Sequence, residues 1–260
     1  MLISLSTLCS TYGIKDFGVL HIGAHKAEER DSYKECGASK VVWIEANPDL
    51  AAHIDNMISE NTEVFETEVV INLAAFDADD DEVDFNVSSS TGSSSLLDFG
   101  THSESHPEIK MDHKIAVATK RIDSLARERP HLFKDIDFAT LDIQGAEHAA
   151  LKGFGDILKQ FKWVYAEVNR REVYKGNGMI WDIDRLLLQY GFFRKQTHFT
   201  WESWGDAFYE KQAHISSLSR LAYQTRLRLQ YLIWAVLDLQ VVRFSIRSLR
   251  KIKHSIQYHN

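Results

Sequence analysis

Residues 17–48, FGVLHIGAHKAEERDSYKECGASKVVWIEANP, constrain the fold more than any other stretch. Phe17, Val19, Leu20 and Ile22 form an apolar run that stops at Gly23, the pattern of a buried parallel strand. Residues 26–36 are rich in helix formers and are followed by Gly37, which predicts a helix with a glycine stop. Val41, Val42, Trp43 and Ile44 make a second apolar run, ended by Glu45 and the Asn47-Pro48 break. Together these form one βαβ unit, with its glycine turn and terminal acid at the same end of a parallel sheet.

That arrangement suits a nucleoside. A turn without bulk lets a ligand approach the backbone, and an acid about 20 residues on accepts hydrogen bonds from ribose hydroxyls. Gly23 and Glu45 meet that spacing. After Gly23 the chain reads Ala24, His25, Lys26, Ala27, Glu28, without the further glycines that a dinucleotide's pyrophosphate requires. The residues therefore favour S-adenosyl-L-methionine, which has a ribose and no phosphate, over NAD. They equally fit an ordinary βα turn with no cofactor.

Downstream, strand and helix keep alternating. A helix is predicted over 50–58, a third strand over 68–76 and a β extension over 83–87. Residues 88–97, SSSTGSSSLL, read either as a flexible linker or as a loop covering the cofactor site. His102, Glu104, His106 and His113 lack metal-ligand spacing and read as a solvated loop. Strands follow at 115–122, 136–143 and 163–168, and Asp123-Ser124 is the expected cap of a short helix. A helix at 179–190 leads to a closing antiparallel pair, 192–199 and 207–209. Asp142 and Glu167 end their strands, and Glu147 opens a helix that also holds His148. Acids at the carboxyl edge of a parallel sheet stand where ligands bind.

Charge divides the chain. Its net charge is −7, yet residues 211–260 carry 9 Lys and Arg against a single acid, Asp238. The acidic body argues against a nucleic-acid partner. Cys9 and Cys36 are the only cysteines, which predicts no disulfide framework. Without a signal-like start or a membrane-length apolar run, the expected location is the cytoplasm. Over 214–258, Leu218, Leu221, Leu232, Ala235, Leu239, Val242, Ile246 and Leu249 follow a seven-residue repeat, broken by Thr225 and Arg228. One long helix or a helical pair is expected, serving first as a homo-oligomer interface and second as a peripheral membrane contact; packing on the acidic body is the third reading.

HIGAHKAEE, WIEANP, INLAAFD, GSSSLL, LDIQGAEHAALKG, and AEV followed by Tyr174-Lys175-Gly176 occur in the order seen in FkbM-type methyltransferases. The resemblance covers residues 18–210. It implies a class I methyltransferase (Rossmann-like) fold, an α/β seven-stranded mostly parallel sheet with helices on both faces, and a C-terminal helical extension. The implied domains are an N-terminal helical segment, 1–16, a methyltransferase domain, 17–212, and the basic extension, 213–260. It further implies O-methyl transfer from S-adenosyl-L-methionine, in line, to a hydroxyl of a sugar, glycan or secondary metabolite. The cofactor contacts it implies are His21, Gly23, Ala24, His25, Glu45, Ala46, Asn72, Ala74, Ala75 and Asp142. Asp142, Glu147, His148 and Glu167 are its candidates for the base. Two residues depart from the pattern: Ala27 replaces a common second glycine and Gln144 a common glutamate. No metal ligand set is indicated, although Asp142 leaves a divalent ion open. The rival reading is a catalytically inactive Rossmann-like scaffold that works through its tail.

Overall fold

The computed structural model describes residues 1–61, 64–213 and 216–236. They fall into two units, Met1–Gln212 and Ala213–Asn260. In chain order the first unit contains α1 (Leu5–Tyr12), β1 (Phe17–Ile22), α2 (Arg30–Glu35), β2 (Ala38–Glu45), α3 (Pro48–Glu60), β3 (Thr67–Asn72), β4 (Ala74–Ala75) and β5 (Asp80–Ser88). Next come α4 (His102–Ser105), β6 (Met111–Lys120), α5 (Ile122–Glu128), α6 (Pro130–Phe133), β7 (Phe138–Leu141) and α7 (Glu147–Gly153). The unit closes with β8 (Trp163–Asn169), α8 (Ile180–Gln189), β9 (Phe192–Phe199) and β10 (Trp204–Lys211).

Seven strands form one sheet in the order β3-β2-β1-β7-β8-β10-β9. Pairing is parallel from β3 through β8, and β10 runs antiparallel to both β8 and β9. The chain reverses its order at β1, between β2 and β7, so a crevice opens there at the strands' carboxyl ends. Alternation along the strands serves two layers. Phe17, Val19, Val41, Trp43 and Phe138 pack with Leu8, Tyr33 and Ile54 from α1, α2 and α3. Leu20, Val42 and Ile44 are buried on the opposite face.

The sequence expectations need correction at three places. The helix predicted over 26–36 begins only at Arg30, because His25 (φ 50°) and Ala27 (φ 57°) take left-handed conformations that unwind its first turn. The third strand, predicted over 68–76, breaks at Leu73. Ala74 and Ala75 leave the main sheet and pair with Thr119 and Lys120 in a second sheet, β4-β6-β5, which the sequence reading had not separated. The short helix begins at Ile122, one residue before its expected cap; Asp123 instead binds the Arg121 guanidinium at 2.8 and 2.9 Å. Elsewhere Asn47 caps α3, its side chain accepting from the Asp49 N–H at 2.9 Å with Pro48 in the first helical position.

Gly23 is required by its surroundings. Its φ is 84°, and a Cβ there would overlap the backbone oxygen of Asp142 on the neighbouring strand's exit. Gly23→Ala is expected to destabilise the fold by roughly 3 kcal/mol, combining left-handed strain with separation of the β1 and β7 ends. Urea denaturation of the two proteins measures it; a difference below about 1 kcal/mol would show that the strand ends move apart freely.

In the second unit residues 217–236 are helical. Leu218, Leu221, Leu229, Leu232, Ile233 and Val236 are exposed. Leu239, Val242, Ile246 and Leu249 of the seven-residue repeat, and the basic segment 243–253, lie outside the described residues. Among the described residues no helix is long and apolar enough to cross a membrane.

Candidate active site

Two clefts meet at the crevice, sharing Gly92, Asp142 and Gln144. The first is a cleft of about 580 Å³, open to solvent. Its polar end is Glu45, which is buried and holds the β1–α2 turn. One carboxylate oxygen accepts the His25 N–H and the other the Asn47 N–H, each at 2.8 Å. Burial raises the Glu45 pKa above the usual carboxylate value, against the pull of these N–H groups. Much of the remaining wall is apolar: Leu50, Leu73, Ala74, Ala75, Phe85 and Leu96. Loop 88–97 closes over one side. The Thr91 hydroxyl meets His25 Nε2 at 2.8 Å, and His25 Nδ1 pairs with Glu28 at 2.7 Å.

The second cleft, about 1030 Å³ and open to solvent, sets acids among apolar and aromatic residues. Asp142, Glu167 and Asp206 line it, and Glu167 lies directly opposite Asp206 across the β8–β10 pairing. Gln144 ties this floor together. Its Nε2 donates to Asp142 at 2.7 Å and to Glu167 at 3.3 Å, while its Oε1 accepts from the Tyr174 hydroxyl at 2.7 Å. Asp206 accepts from the Tyr165 hydroxyl and the Leu2 N–H. Burial pushes Asp142 up, helped by Asp206, and pushes Glu167 well up, helped by Asp142 and Glu147.

Glu147 lines neither cleft. It is buried, and its Oε1 accepts the N–H groups of Ile143 and Gly145 at 2.9 and 3.1 Å, bracing a turn in which Gln144 has φ 55° and Gly145 φ 100°. Burial pushes its carboxyl up to about 7. His148 lies outside both clefts, against Gly178.

Among the expected cofactor contacts, Gly23, His25, Glu45, Ala46, Ala74, Ala75 and Asp142 come together on the first cleft. His21, Ala24 and Asn72 do not. Ala24 belongs to the core cluster that also holds Tyr33, and Asn72 turns its amide to the Glu45 and Ala46 carbonyls. His21 points into the layer under the sheet, its Nδ1 3.0 Å from the Tyr33 hydroxyl and its ring against Trp43. The sequence also missed His102 and His106, which line the second cleft rather than forming a solvated loop. Asp206 was missed too; an acid inside the apolar strand GDAFY was its signal. Among the described residues no group of three or more His, Cys, Asp or Glu is arranged to hold a metal ion.

His21 carries a measurable consequence. Burial lowers its pKa from 6.5 to about 4, so the fold keeps it neutral while the unfolded chain binds a proton. Its contribution to stability is complete above pH 6.5 and is lost as pH falls through about 4. The loss totals roughly 3 kcal/mol. His21→Phe leaves Tyr33 its 2.8 Å bond to Thr140 and is expected to flatten the urea-midpoint slope across that window. Equal slopes in both proteins would show that His21 titrates normally.

Comparison with known proteins adds three findings. The pattern of the methyltransferase FkbM domain matches residues 21–193. A 2-O-methyltransferase, NoeI of Sinorhizobium fredii (strain NBRC 101917 / NGR234), is 27% identical over 101 residues, 36% of this chain. That match spans only 41% of NoeI's length. Solved structures with a similar course include magnesium protoporphyrin IX methyltransferase from Synechocystis PCC 6803 with bound SAM, at 8% identity and TM-score 0.46, over 80% of this chain and 76% of that one. A putative RNA methyltransferase from Pyrococcus horikoshii has 12% identity and TM-score 0.42, over 79% of this chain and 80% of that one.

Proposed function

The chain belongs to the FkbM methyltransferase family, and on that premise we propose that it moves a methyl group from S-adenosyl-L-methionine to an acceptor hydroxyl. One observation carries the reading: an apolar cleft ending in Glu45 opens, at Asp142, into an acidic chamber. The first cleft fits the cofactor. Each Glu45 oxygen accepts one backbone N–H, which leaves both oxygens capacity for a pair of ribose hydroxyls. Leu50, Leu73 and Phe85 offer an apolar slot for a purine, bordered by the small side chains of Ala74 and Ala75. When bound, the cofactor supplies a methyl group activated by a sulfonium.

The chain's own residues supply alignment and a proton acceptor. Gln144 fixes the Asp142 and Glu167 carboxylates by one N–H each, so an acceptor oxygen meets groups that are already oriented. A hydroxyl is a weak nucleophile near neutral pH, and a carboxylate with a raised pKa is a stronger base for its proton. Asp142 takes that role because it alone among the four candidates borders both clefts. Glu147 acts by holding the turn beneath it. The acceptor is a polyhydroxylated small molecule or glycan, consistent with a chamber walled by Tyr174, Trp204 and hydrogen-bonding groups. Self-association belongs to the same reading, supported by the exposed leucines of the 217–236 helix.

The test is titration of the purified protein with S-adenosylhomocysteine and, separately, with NAD, followed by transfer of labelled methyl from the cofactor to candidate polyols. Micromolar binding of the first alone, with label in a product that survives base hydrolysis, is the expected result. A base-labile label would mark an ester and a carboxylate acceptor. Binding without turnover on any acceptor would favour the scaffold reading.

A further inference from the structure

Four carboxylates line the second cleft, Asp142, Glu167, Glu202 and Asp206, and among the described residues no lysine or arginine lines it. The hydrogen bonds that hold them come from neutral groups. Asp142 and Glu167 share the Gln144 amide, Asp206 takes the Tyr165 hydroxyl and the Leu2 N–H, and Glu202 takes the Trp204 indole at 3.0 Å. His106 reaches Glu202 at 3.2 Å. His102 supplies no compensating charge, since burial and the neighbouring His106 lower its pKa. Its Nδ1 is buried without a hydrogen-bond partner, and the ring, 9% exposed, is stacked on Phe99 at 4.2 Å. The Met1 amino group, which also lines the cleft and pulls the Asp142 pKa down, is one cation against these four acids. Buried carboxylates in excess of their cations either keep a proton or wait for a positive ligand.

Resting on the methyl-transfer reading above, we propose that the acceptor carries a protonated amine beside its hydroxyls, as an aminosugar does. Its ammonium sits against Glu167 and Asp206 while the reacting hydroxyl meets Asp142. The cofactor's own charge does not remove this requirement. A sulfonium at the junction faces Asp142, whereas Glu167, Glu202 and Asp206 line the second cleft only. The raised pKa values of Asp142 and Glu167 fit the same picture, because an approaching ammonium displaces protons that repulsion and burial hold there. The His102 ring lines the same cleft. Carboxylated or phosphorylated acceptors meet like charge throughout and are rejected.

Three hexoses that differ mainly in charge provide the test: glucosamine, glucose and glucuronate, each titrated by ligand-observed NMR into protein saturated with S-adenosylhomocysteine. Glucosamine is expected to bind at least about tenfold more tightly than glucose, with glucuronate weaker than both. Combining Glu167→Gln with Asp206→Asn is expected to shrink the span to about threefold, with retained S-adenosylhomocysteine binding reporting an intact fold. Equal affinities, the reverse order, no binding of glucosamine, or a span that survives the double substitution would each overturn the proposal while leaving methyl transfer standing. Failure of S-adenosylhomocysteine to bind the unaltered protein is the separate result that removes both.

Discussion

Glu45→Ala is expected to weaken S-adenosylhomocysteine binding by at least roughly 100-fold, since each ribose hydroxyl donated to a charged acceptor contributes about 1.5–3 kcal/mol. The carboxylate sits at the end of β2, and the register of β1 on β2 pairs Ile22 with Ile44, so the acid lies one residue beyond the last aligned pair, beside Gly23. The same side chain holds the His25 and Asn47 N–H groups. Its removal therefore loosens the turn as well as removing the acceptor. Glu45→Gln separates the two effects. It keeps one acceptor oxygen and the side chain's volume, and an intermediate loss of about tenfold is expected. Calorimetric titration of all three proteins reads the affinities, and their urea midpoints read the fold. If Glu45→Ala binds within threefold of the parent (about 0.7 kcal/mol), the ribose lies elsewhere.

Asp142→Asn is expected to lower kcat by roughly 10²- to 10⁴-fold, the usual effect of removing a positioned base, with cofactor affinity changed by less than about fivefold. The amide preserves shape and can still accept the Gln144 N–H bond now made at 2.7 Å. In the parent, kcat/KM is expected to rise with pH through an apparent pKa above the ordinary carboxylate range. That value belongs to the Asp142–Glu167 pair, which Gln144 joins and whose mutual repulsion separates the two proton losses. The sign follows from the chemistry: the base works when deprotonated, so activity is lost as pH falls through the raised pKa. In Asp142→Asn the rise should move toward the value of Glu167 alone. An unchanged profile with an unchanged kcat would make Asp142 a bystander, leaving Glu167 as the base.

Much of this site is visible before any coordinates. The apolar runs at 17–22 and 41–44 and their halting residues place Gly23 and Glu45 at one sheet edge, because strand burial leaves a strong local signal. The closing pair, expected over 192–199 and 207–209, was legible for the same reason, although its second strand runs longer, over Trp204–Lys211. The helix start at Arg30 was not, since His25 and Ala27 are left-handed, and the His25 N–H is held by the Glu45 carboxylate 20 residues on in the sequence. His102 and Asp206 were hidden because the cleft assembles them from segments about 100 residues apart in sequence order, which no periodicity records. His21, a cofactor contact implied by the resemblance, lies off the first cleft because strand alternation sends its ring to the other face, against Tyr33.

The break of the third strand at Leu73 has a consequence for how such a protein diversifies. Beyond it the chain builds β4, β5 and β6 and the loop between them, so the small sheet hangs from the cofactor crevice by Ala74 and Ala75 and reaches the acceptor chamber through Gly92. One peripheral module thus lines both of the clefts proposed for donor and acceptor. Substitutions in residues 88–97 that change acceptor preference will, by thermodynamic reciprocity, alter the hold on the methyl donor whenever the loop's position couples the two ligands. A lineage changing its acceptor has to retune donor affinity at the same time, and compensating changes are expected in the small sheet, while the seven-stranded frame stays as it is.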